Sequence, residues 1–206
     1  MSNMSVSFNN VGFSYNEKPV LENINILINE NGIYIIKGQN GAGKSTLVKL
    51  LSGIYNDYTG EIIVDGVNIK NLDKVELRNL IFLNSQKTPI FDDTLMNNIF
   101  LGKQPNDFEK TMYKKLISDY DINDIDSCSN INDNSVSGGQ AQKIGIVRTI
   151  LSNRGILIFD EPTSNLDKIS VKNFINTLQS LEYKYIIIII THDNVFDYLN
   201  YQEIFI

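Results

Sequence analysis

A glycine-rich segment with the sequence GQNGAGKS, residues 38–45, sets narrow limits on the fold of this chain. It follows the apolar run at residues 33–36 and leads into an apolar pattern of helical spacing at residues 47–51. Glycines let a turn between a strand and a helix curl around an anion without Cβ clashes, so that backbone N–H groups converge on it. In this context the spacing G-x-x-x-x-G-K-S predicts a binding site for the phosphates of a nucleoside triphosphate.

Each position of this phosphate loop has a predicted contact with the triphosphate. Lys44 is predicted to place its charge on the β- and γ-phosphate oxygens, and the Ser45 hydroxyl to ligate Mg²⁺. The backbone cradle is predicted to come from Gly38, Asn40, Gly41, Ala42 and Gly43. The alternative is a glycine-rich turn with a surface lysine, which would have no ligand.

Two carboxylates, Asp160 and Glu161, end a second apolar run at residues 156–159. Ligands of α/β folds bind at the carboxyl edge of a parallel sheet, where this strand end would lie. Asp160 is therefore predicted to hold Mg²⁺ opposite Ser45, and Glu161 to polarise the water that attacks the γ-phosphate. An acidic strand end on the protein surface is the alternative interpretation.

Two further features belong to the same prediction. The only histidine, His192, ends an isoleucine-rich run at the same sheet edge, where it could reach a phosphate oxygen, although a lone histidine is more often structural. The segment Ser137-Gly138-Gly139-Gln140 opens a predicted helix over residues 138–152. Ser137 fits an N-cap, and the glycines leave backbone N–H groups open to an anion. Taken alone, this segment indicates only a capped helix start.

The front of the chain has the alternating pattern of an antiparallel sheet. Apolar and polar residues alternate at residues 5–15 and again at residues 21–28, on either side of Pro19, and residues 65–66 predict a hairpin turn. These signals predict half-buried strands around the strand, loop and helix of the phosphate site.

The rest of the chain is predicted to alternate between helices and strands. The middle has helical stretches at residues 95–100 and 107–120 and a polar loop at residues 121–135. After residue 152 strands alternate with helices, which predicts a parallel sheet. Together these patterns indicate an α/β fold with a mostly parallel sheet and an N-terminal antiparallel part.

Composition argues against some classes of function. The 206 residues carry 18 Lys and Arg against 24 Asp and Glu, a net charge of −6 without a basic block, so no nucleic-acid partner is expected. The most hydrophobic run, residues 185–190, is far too short to span a bilayer, so an action at a membrane requires a partner or a further segment. The single cysteine, Cys128, excludes an internal disulfide and suits a reducing compartment.

The order of these motifs resembles the nucleotide-binding domain of ATP-binding cassette (ABC) proteins over nearly the whole chain. The motifs that carry the resemblance are the phosphate loop, Gln86, the signature Ser137-Gly138-Gly139-Gln140, Asp160-Glu161, Asp167 and His192. The resemblance implies a P-loop NTPase of the RecA-like class in a single domain over residues 1–206. Residues 1–85 and 153–206 would form the antiparallel β part and the core, and residues 86–152 a helical subdomain that carries the signature.

The resemblance also implies a mechanism that needs two subunits. Two such domains meet head to tail and hold two ATP molecules with Mg²⁺ at their interface. Each site is then completed by the signature residues Ser137, Gly138, Gly139 and Gln140 of the opposite subunit. Asp167 would tie one loop to the other across that interface.

Within one subunit, the resemblance implies a role for each remaining side chain. Tyr15 would stack on adenine, with a core strand residue as the alternative, and Thr46 would contact the α-phosphate. Gln86 would sense Mg²⁺ and the attacking water, and His192 would hold the γ-phosphate. The implied catalytic residues are Glu161, His192, Gln86 and Lys44, and the implied metal ligands are Ser45, Gln86 and Asp160.

A finer resemblance is to the cassettes of exporters, in which the pattern F-x-x-T-[IL]-x-x-N-I-x-L-G follows the glutamine. Residues 91–102 of this chain read FDDTLMNNIFLG. In that family the stretch faces transmembrane domains, which implies a position at the cytoplasmic face of the cell membrane. The departures are Val136 where leucine is usual, no acidic pattern in residues 127–134, and an end at Ile206 where the family continues, so a truncated chain or a compact variant is expected.

The leading hypothesis is the ATPase of a membrane transporter, an exporter, that works as a dimer with fused or separate transmembrane domains. The alternative is a soluble ABC ATPase in translation or DNA maintenance. The sequence disfavours it because the chain has no long coiled-coil insertion, no second cassette and no basic surface stretch. A cassette that only binds ATP is disfavoured because Glu161 and His192 are both present. Peptide, lipid and drug substrates all stay open.

Overall fold

The computed structural model describes residues 4–206, and this range contains eleven β-strands and six α-helices. The strands are β1 (Val6–Tyr15), β2 (Lys18–Ile28), β3 (Gly32–Lys37), β4 (Thr59–Val64), β5 (Val67–Asn68), β6 (Ile81–Asn84), β7 (Asp93–Thr94), β8 (Asn130–Ile131), β9 (Ile156–Asp160), β10 (Ile186–Ile190) and β11 (Gln202–Phe205). The helices are α1 (Lys44–Leu51), α2 (Lys74–Leu80), α3 (Leu95–Phe100), α4 (Asp107–Asp119), α5 (Gly138–Leu151) and α6 (Lys168–Leu181).

The antiparallel front of the chain is confirmed as a four-stranded sheet in the order β2-β1-β4-β5. Buried Val6 and Phe8 lie on one face of β1, because alternate residues of a strand point to the same side. Pro19 was expected to lie between two strands. It lies instead within β2, opposite Ser14. It is tolerated there because β2 is an edge strand, where a missing N–H donor leaves no neighbouring strand without a partner.

The predicted parallel sheet is confirmed, with five strands in the order β11-β3-β10-β9-β6 and every neighbouring pair parallel. Strand β10 consists of five buried isoleucines, a composition typical of a strand that is covered on both faces. The segments after β3, β6, β9 and β10 all leave the sheet at its carboxyl edge. These segments carry the phosphate loop, Gln86, Glu161 and His192, so the topology brings the predicted site together.

This parallel sheet separates two hydrophobic cores. Ile33 and Ile35 of β3 lie in a core formed with α3, α4, α5 and α6. Tyr34 and Ile36, the alternate residues of the same strand, lie in a core formed with α1 and the antiparallel sheet. The same strand therefore fixes α1 and α5, on opposite faces, relative to the carboxyl edge.

The middle of the chain is helical, as predicted, with α3 and α4 at the expected positions. Helix α5, predicted over residues 138–152, buries Ile144, Val147 and Leu151 against the core. Residues 121–135, expected to form a loop, include the short strand β8, which pairs with β7. A strand of two residues leaves no alternating pattern, so no sequence signal marks it.

Gly60, near the start of β4, occupies a position that fits only glycine. Its φ of +77° is left-handed, and an added Cβ would lie 2.4 Å from the carbonyl oxygen of Asn10 and 2.5 Å from that of Asn9. We expect Gly60→Ala to lower the free energy of unfolding by about 3 kcal/mol, because the backbone must move apart as well as hold a strained φ.

Gly66, in the turn after β4, provides the matched control for this prediction. Its φ is +79°, but nothing lies within 4 Å of an added Cβ. Gly66→Ala is therefore expected to cost about 1 kcal/mol, the cost of the left-handed backbone alone. Urea denaturation of the two variants measures the difference, and equal losses would contradict the close approach of β1 and β4 at Gly60.

Candidate active site

The phosphate loop connects β3 to α1 and leaves the start of the helix open. Gly41 and Gly43 have left-handed φ values of +83° and +93°. A Cβ on Gly43 would lie 2.6 Å from Leu21 Cδ2, so the antiparallel sheet packs closely behind the loop. Gly43 is also the N-cap of α1, and no side chain caps the helix. The first N–H groups of α1 are therefore available to an anion, as the sequence predicted.

Lys44 points back into this loop and is buried. Its Nζ donates to the carbonyl oxygens of Gly38 and Gln39, at 2.9 Å each. Among residues 4–206 no carboxylate lies within ion-pair distance of the ammonium. Because an ammonium has three donors, one is left for a ligand.

Asp160 ends β9 beside Ser45 at the mouth of α1. Burial raises the pKa of Asp160, and the nearby Ser45 hydroxyl and the charges of Lys49 and Lys44 oppose that shift. A buried carboxylate next to a hydroxyl offers hard oxygen ligands, the type that Mg²⁺ prefers. Asp160 and Ser45 therefore fit a magnesium site, and Asp160 is 6% exposed, so few water molecules compete for its oxygens.

Glu161 follows Asp160 with a left-handed backbone, at a φ of +51°. Its N–H donates to the carbonyl oxygen of Ile190 at 2.8 Å, and its carbonyl oxygen accepts from Gln142 Nε2 at 2.8 Å. This change of backbone direction turns the Glu161 side chain towards His192, whose Nε2 lies 3.7 Å from Glu161 Oε1. Burial raises the pKa of Glu161, and the nearby His192 opposes the shift.

Tyr15 lies at the end of β1 and lines the same cavity as the phosphate loop. Its hydroxyl is 3.3 Å from Thr46 Oγ1, and its ring meets Phe13 and Tyr55 edge to face, with centroids 4.8 and 5.5 Å apart. The side chain is 37% exposed, so it is not a core residue of the strand. Because neighbouring rings fix the ring of Tyr15 and solvent reaches part of it, a planar ligand can stack on it.

One cavity of about 600 Å³ joins most of these predicted residues. The predicted site residues that line it are Tyr15, Asn40, Gly41, Gly43, Lys44, Ser45, Thr46, Gln86, Asp160, Glu161 and His192. Gly38 and Ala42 contribute to the loop itself: Gly38 accepts from Lys44, and the Ala42 N–H donates to Gln39. The cavity combines the Lys44 ammonium, the oxygens of Ser45 and Asp160, the Glu161 carboxylate and the ring of Tyr15.

The signature residues lie outside this cavity, at the start of α5. Ser137 and Gln140 form a capping box: Ser137 Oγ accepts from the Gln140 N–H at 3.2 Å, and Gln140 Oε1 accepts from the Ser137 N–H at 2.9 Å. Gln140 Nε2 also donates to Asp124, so its amide is engaged within the chain. Ser137 and Gly138 border a second groove of about 550 Å³, which Gln86 also lines. The Gly139 Cα packs close to Asn165, since a Cβ added to Gly139 would lie 2.9 Å from the carbonyl oxygen of Asn165.

Asp167 also lies outside the cavity and is held within its own chain. It caps α6 through a 2.8 Å hydrogen bond from the Ser170 N–H, and it pairs with Lys143 of α5 at 2.9 Å. These contacts hold the pKa of Asp167 well below its usual range. The loop that carries Asp167 is therefore tied to the helix that carries the signature.

Sequence reasoning missed Gln142, which lies two residues beyond the signature. This side chain is 4% exposed and bonds to the segment that follows Asp160. The only sequence feature that could have indicated a role for Gln142 was its position next to a largely apolar helix face. Such a residue is either solvated or bonded to a buried partner, and only the tertiary structure distinguishes the two.

Comparisons with known proteins connect these features to one family. The sequence profile of the family described as ABC transporter matches residues 21–164. A Rickettsia typhi protein named as an export ATP-binding/permease protein is 32% identical over 209 residues, and the ATP-dependent lipid A-core flippase of Francisella tularensis is 33% identical over 195 residues. These alignments cover 92% and 91% of this chain but only 34% and 32% of the relatives, so the chain spans about a third of their length.

The fold is similar to that of a bacterial Atm1-family ABC exporter solved with ATP bound. The two structures superpose with a TM-score of 0.87 and 26% sequence identity, over 98% of this chain and 37% of the exporter chain. Within residues 4–206, no helix is long and apolar enough to cross a membrane. The sequence profile, the relatives and the fold agree with the arrangement of the site. The chain therefore belongs to the ABC transporter family, and it is an ATPase domain of that family.

Proposed function

We propose that this chain binds ATP with Mg²⁺ in the cavity and hydrolyses it within a head-to-tail pair of such domains. The observation that carries this proposal is the separation of the predicted site residues onto two surfaces. Lys44 and Glu161 line the cavity, whereas Ser137 and Gly138 border the second groove at the start of α5. In a twofold-symmetric pair, the α5 start of each copy would face the cavity of the other and complete its anion site.

The contacts inside the cavity support a role for each catalytic side chain. Lys44 has one ammonium donor for a β- or γ-phosphate oxygen, and Glu161 accepts the proton of the attacking water. His192, beside Glu161, holds the γ-phosphate. Gln86 lines both the cavity and the second groove, a position from which it senses the ion, the water and the partner subunit. Mg²⁺, when bound by Ser45, Asp160 and Gln86, neutralises charge on the phosphate oxygens.

The remaining residues bind the nucleotide or connect the subunits. Tyr15 stacks on adenine, and its hydrogen bond with Thr46 brings that hydroxyl to the same end of the cavity, towards the α-phosphate. The signature residues act on the partner's nucleotide mainly through backbone N–H groups, since the Gln140 amide is engaged in the chain. Asp167 extends the link between its loop and α5 across the interface.

We also propose that the pair powers an exporter-type transporter at the cytoplasmic face of the cell membrane. Phe91 is 51% exposed, yet its N–H donates to Asn98 Oδ1 at 2.8 Å, so an apolar side chain is presented on a fixed backbone. Buried Arg148 supports the same loop by donating to the carbonyl oxygens of Asn98 and Pro89. An ordered, exposed phenylalanine suits a protein interface, which supports the docking of transmembrane domains there. In this role the chain is a single domain over residues 1–206 with a helical subdomain at residues 86–152.

A mixing experiment tests the paired site directly. Lys44→Ala damages the cavity and leaves the α5 start intact, whereas Gly138→Asp places a negative charge at the α5 start and leaves the cavity intact. Nothing lies within 4 Å of an added Cβ at Gly138, so this change spares the fold. We expect each variant to be nearly inactive alone and an equal mixture to regain about a quarter of wild-type ATPase activity, because half of the pairs then hold one intact site.

Gly66→Asp is the matched control for the added carboxylate, since Gly66 also has open space around an added Cβ and lies in a hairpin turn. It should hydrolyse ATP at the wild-type rate. Full activity of Gly138→Asp alone, or no recovery in the mixture, would contradict a site shared between two copies.

A further inference from the structure

Gln142 of α5 connects two points of the segment that carries Glu161. Its Nε2 donates to the carbonyl oxygen of Glu161 at 2.8 Å, and its Oε1 accepts from the N–H of Asn165 at 2.9 Å. Nε2 also lies 3.3 Å from Ser164 Oγ. Both ends of one buried amide are therefore used, and the amide spans the turn between residues 161 and 165.

This turn needs such support because Glu161 has an unfavourable backbone. A glutamate at a φ of +51° is uncommon, and such a conformation persists only where surrounding contacts determine it. The N–H of Glu161 is fixed by Ile190 at the end of β10, on one side of the peptide. On the other side, the Glu161 carbonyl oxygen accepts from Ser164 Oγ within the turn at 3.2 Å, and from Gln142, which links it to α5, at 2.8 Å.

We propose that Gln142 is a positioning residue for ATP hydrolysis, which keeps Glu161 in its left-handed conformation and thereby aims its carboxylate at the attacking water. This inference rests on the proposed function, in which Glu161 is the base. Rotation of the peptide after Glu161 would change the direction of the side chain and its 3.7 Å distance to His192. Gln142 itself touches no reacting atom, so it acts through Glu161.

The position of Gln142 in the chain gives this contact a second consequence. Gln142 lies between Gln140 of the signature and Lys143, whose ammonium holds Asp167 at 2.9 Å. Two adjacent side chains of α5 therefore hold both ends of the segment from residue 161 to residue 167. A displacement of the α5 start by the partner's nucleotide would move the carbonyl of Glu161 in the same direction.

Gln142→Met tests the proposal, because methionine has nearly the same length and volume but cannot form either hydrogen bond. We expect kcat to fall by about 10²-fold, the loss that follows a misplacement of about 1 Å, and KM for ATP to stay within about threefold. Gln142→Glu, which keeps the acceptor for Asn165 and loses the donor to Glu161, should also lower kcat. The second variant decides the question if the first one does not fold.

Two controls separate positioning from a loss of stability. Asn173→Leu removes another amide that donates to a backbone carbonyl, that of Asp119 at the end of α4, and Asn173 does not line the cavity. It should lower the melting temperature by a similar amount and leave kcat unchanged. In a Glu161→Gln background, measured by single turnover, Gln142→Met should cause no further loss, because the group that it positions is already gone.

Different results would overturn the positioning role of Gln142 and the proposed function. The positioning role would be overturned by wild-type kcat in both Gln142 variants. It would also be overturned if Gln142→Met caused the same fold loss in the wild-type chain and in the Glu161→Gln background. In either case, hydrolysis by the wild-type chain would still uphold the proposed function. If the wild-type chain hydrolysed no ATP at any concentration, the proposed function would fail first.

Discussion

Glu161→Gln is expected to lower the rate of ATP hydrolysis by about 10³-fold, within the range that general bases contribute. Glutamine has the same shape, so the backbone contacts of this position with Ile190 and Gln142 persist. What is lost is the ability to take a proton from water. The measurement is single-turnover hydrolysis at saturating ATP, which reports the chemical step apart from product release.

The same variant should bind ATP as tightly as the wild-type chain and accumulate as an ATP-bound pair in size-exclusion chromatography. The matched control is Glu182→Gln, which removes a carboxylate at the far end of α6 and should not change the rate. Wild-type turnover by Glu161→Gln would remove Glu161 from the role of base. His192 would then be the next group to test, because it lies beside Glu161 in the same cavity.

Lys44→Ala is expected to weaken ATP binding itself by about 10²-fold, the loss associated with one or two hydrogen bonds to a charged group. Two effects combine in this variant. The charge that faces the phosphates is removed, and the carbonyl oxygens of Gly38 and Gln39 lose their common donor, so the loop is less well closed. Titration with a fluorescent ATP analogue measures the dissociation constant directly.

Lys37→Ala is the control for charge, since Lys37 precedes the loop and pairs with Glu203 instead of facing the cavity. It should bind ATP with wild-type affinity. Unchanged affinity in Lys44→Ala would contradict its place on the phosphates. A fall in hydrolysis without a change in affinity would instead confine Lys44 to the chemical step.

The fold was predictable to the extent that short-range pattern determines it. Alternation in β1, five isoleucines in β10 and the glycines before α1 each follow from local chemistry, and each is found where it was expected. Sequence patterns did not predict structure that depends on contacts with residues distant in the chain. Strand β8 exists because β7 lies beside it, and Pro19 fits within β2 because nothing pairs with that edge.

The residues of the candidate site could be proposed from the sequence for a similar reason, since phosphate and metal chemistry restrict the residue types strongly. Lys44, Ser45, Asp160 and Glu161 were identified by type and spacing, and the carboxyl edge of the sheet brings them into one cavity. The support of that site was not predictable. The bonds of Gln142 to Glu161 and Asn165 join residues about twenty positions apart, and no local pattern encodes them.

The position of β3 in the sheet has a consequence for how the chain is made. Its two neighbours, β10 and β11, both lie beyond residue 185, although β3 itself begins at Gly32. During synthesis, the hairpin of β1 and β2 can form early, but β3 has no partner until residues 186–205 have left the ribosome. The candidate site at the end of β3 therefore cannot take shape before β10 is made, and a nascent chain that stalls before β10 would expose an unpaired apolar strand to chaperones.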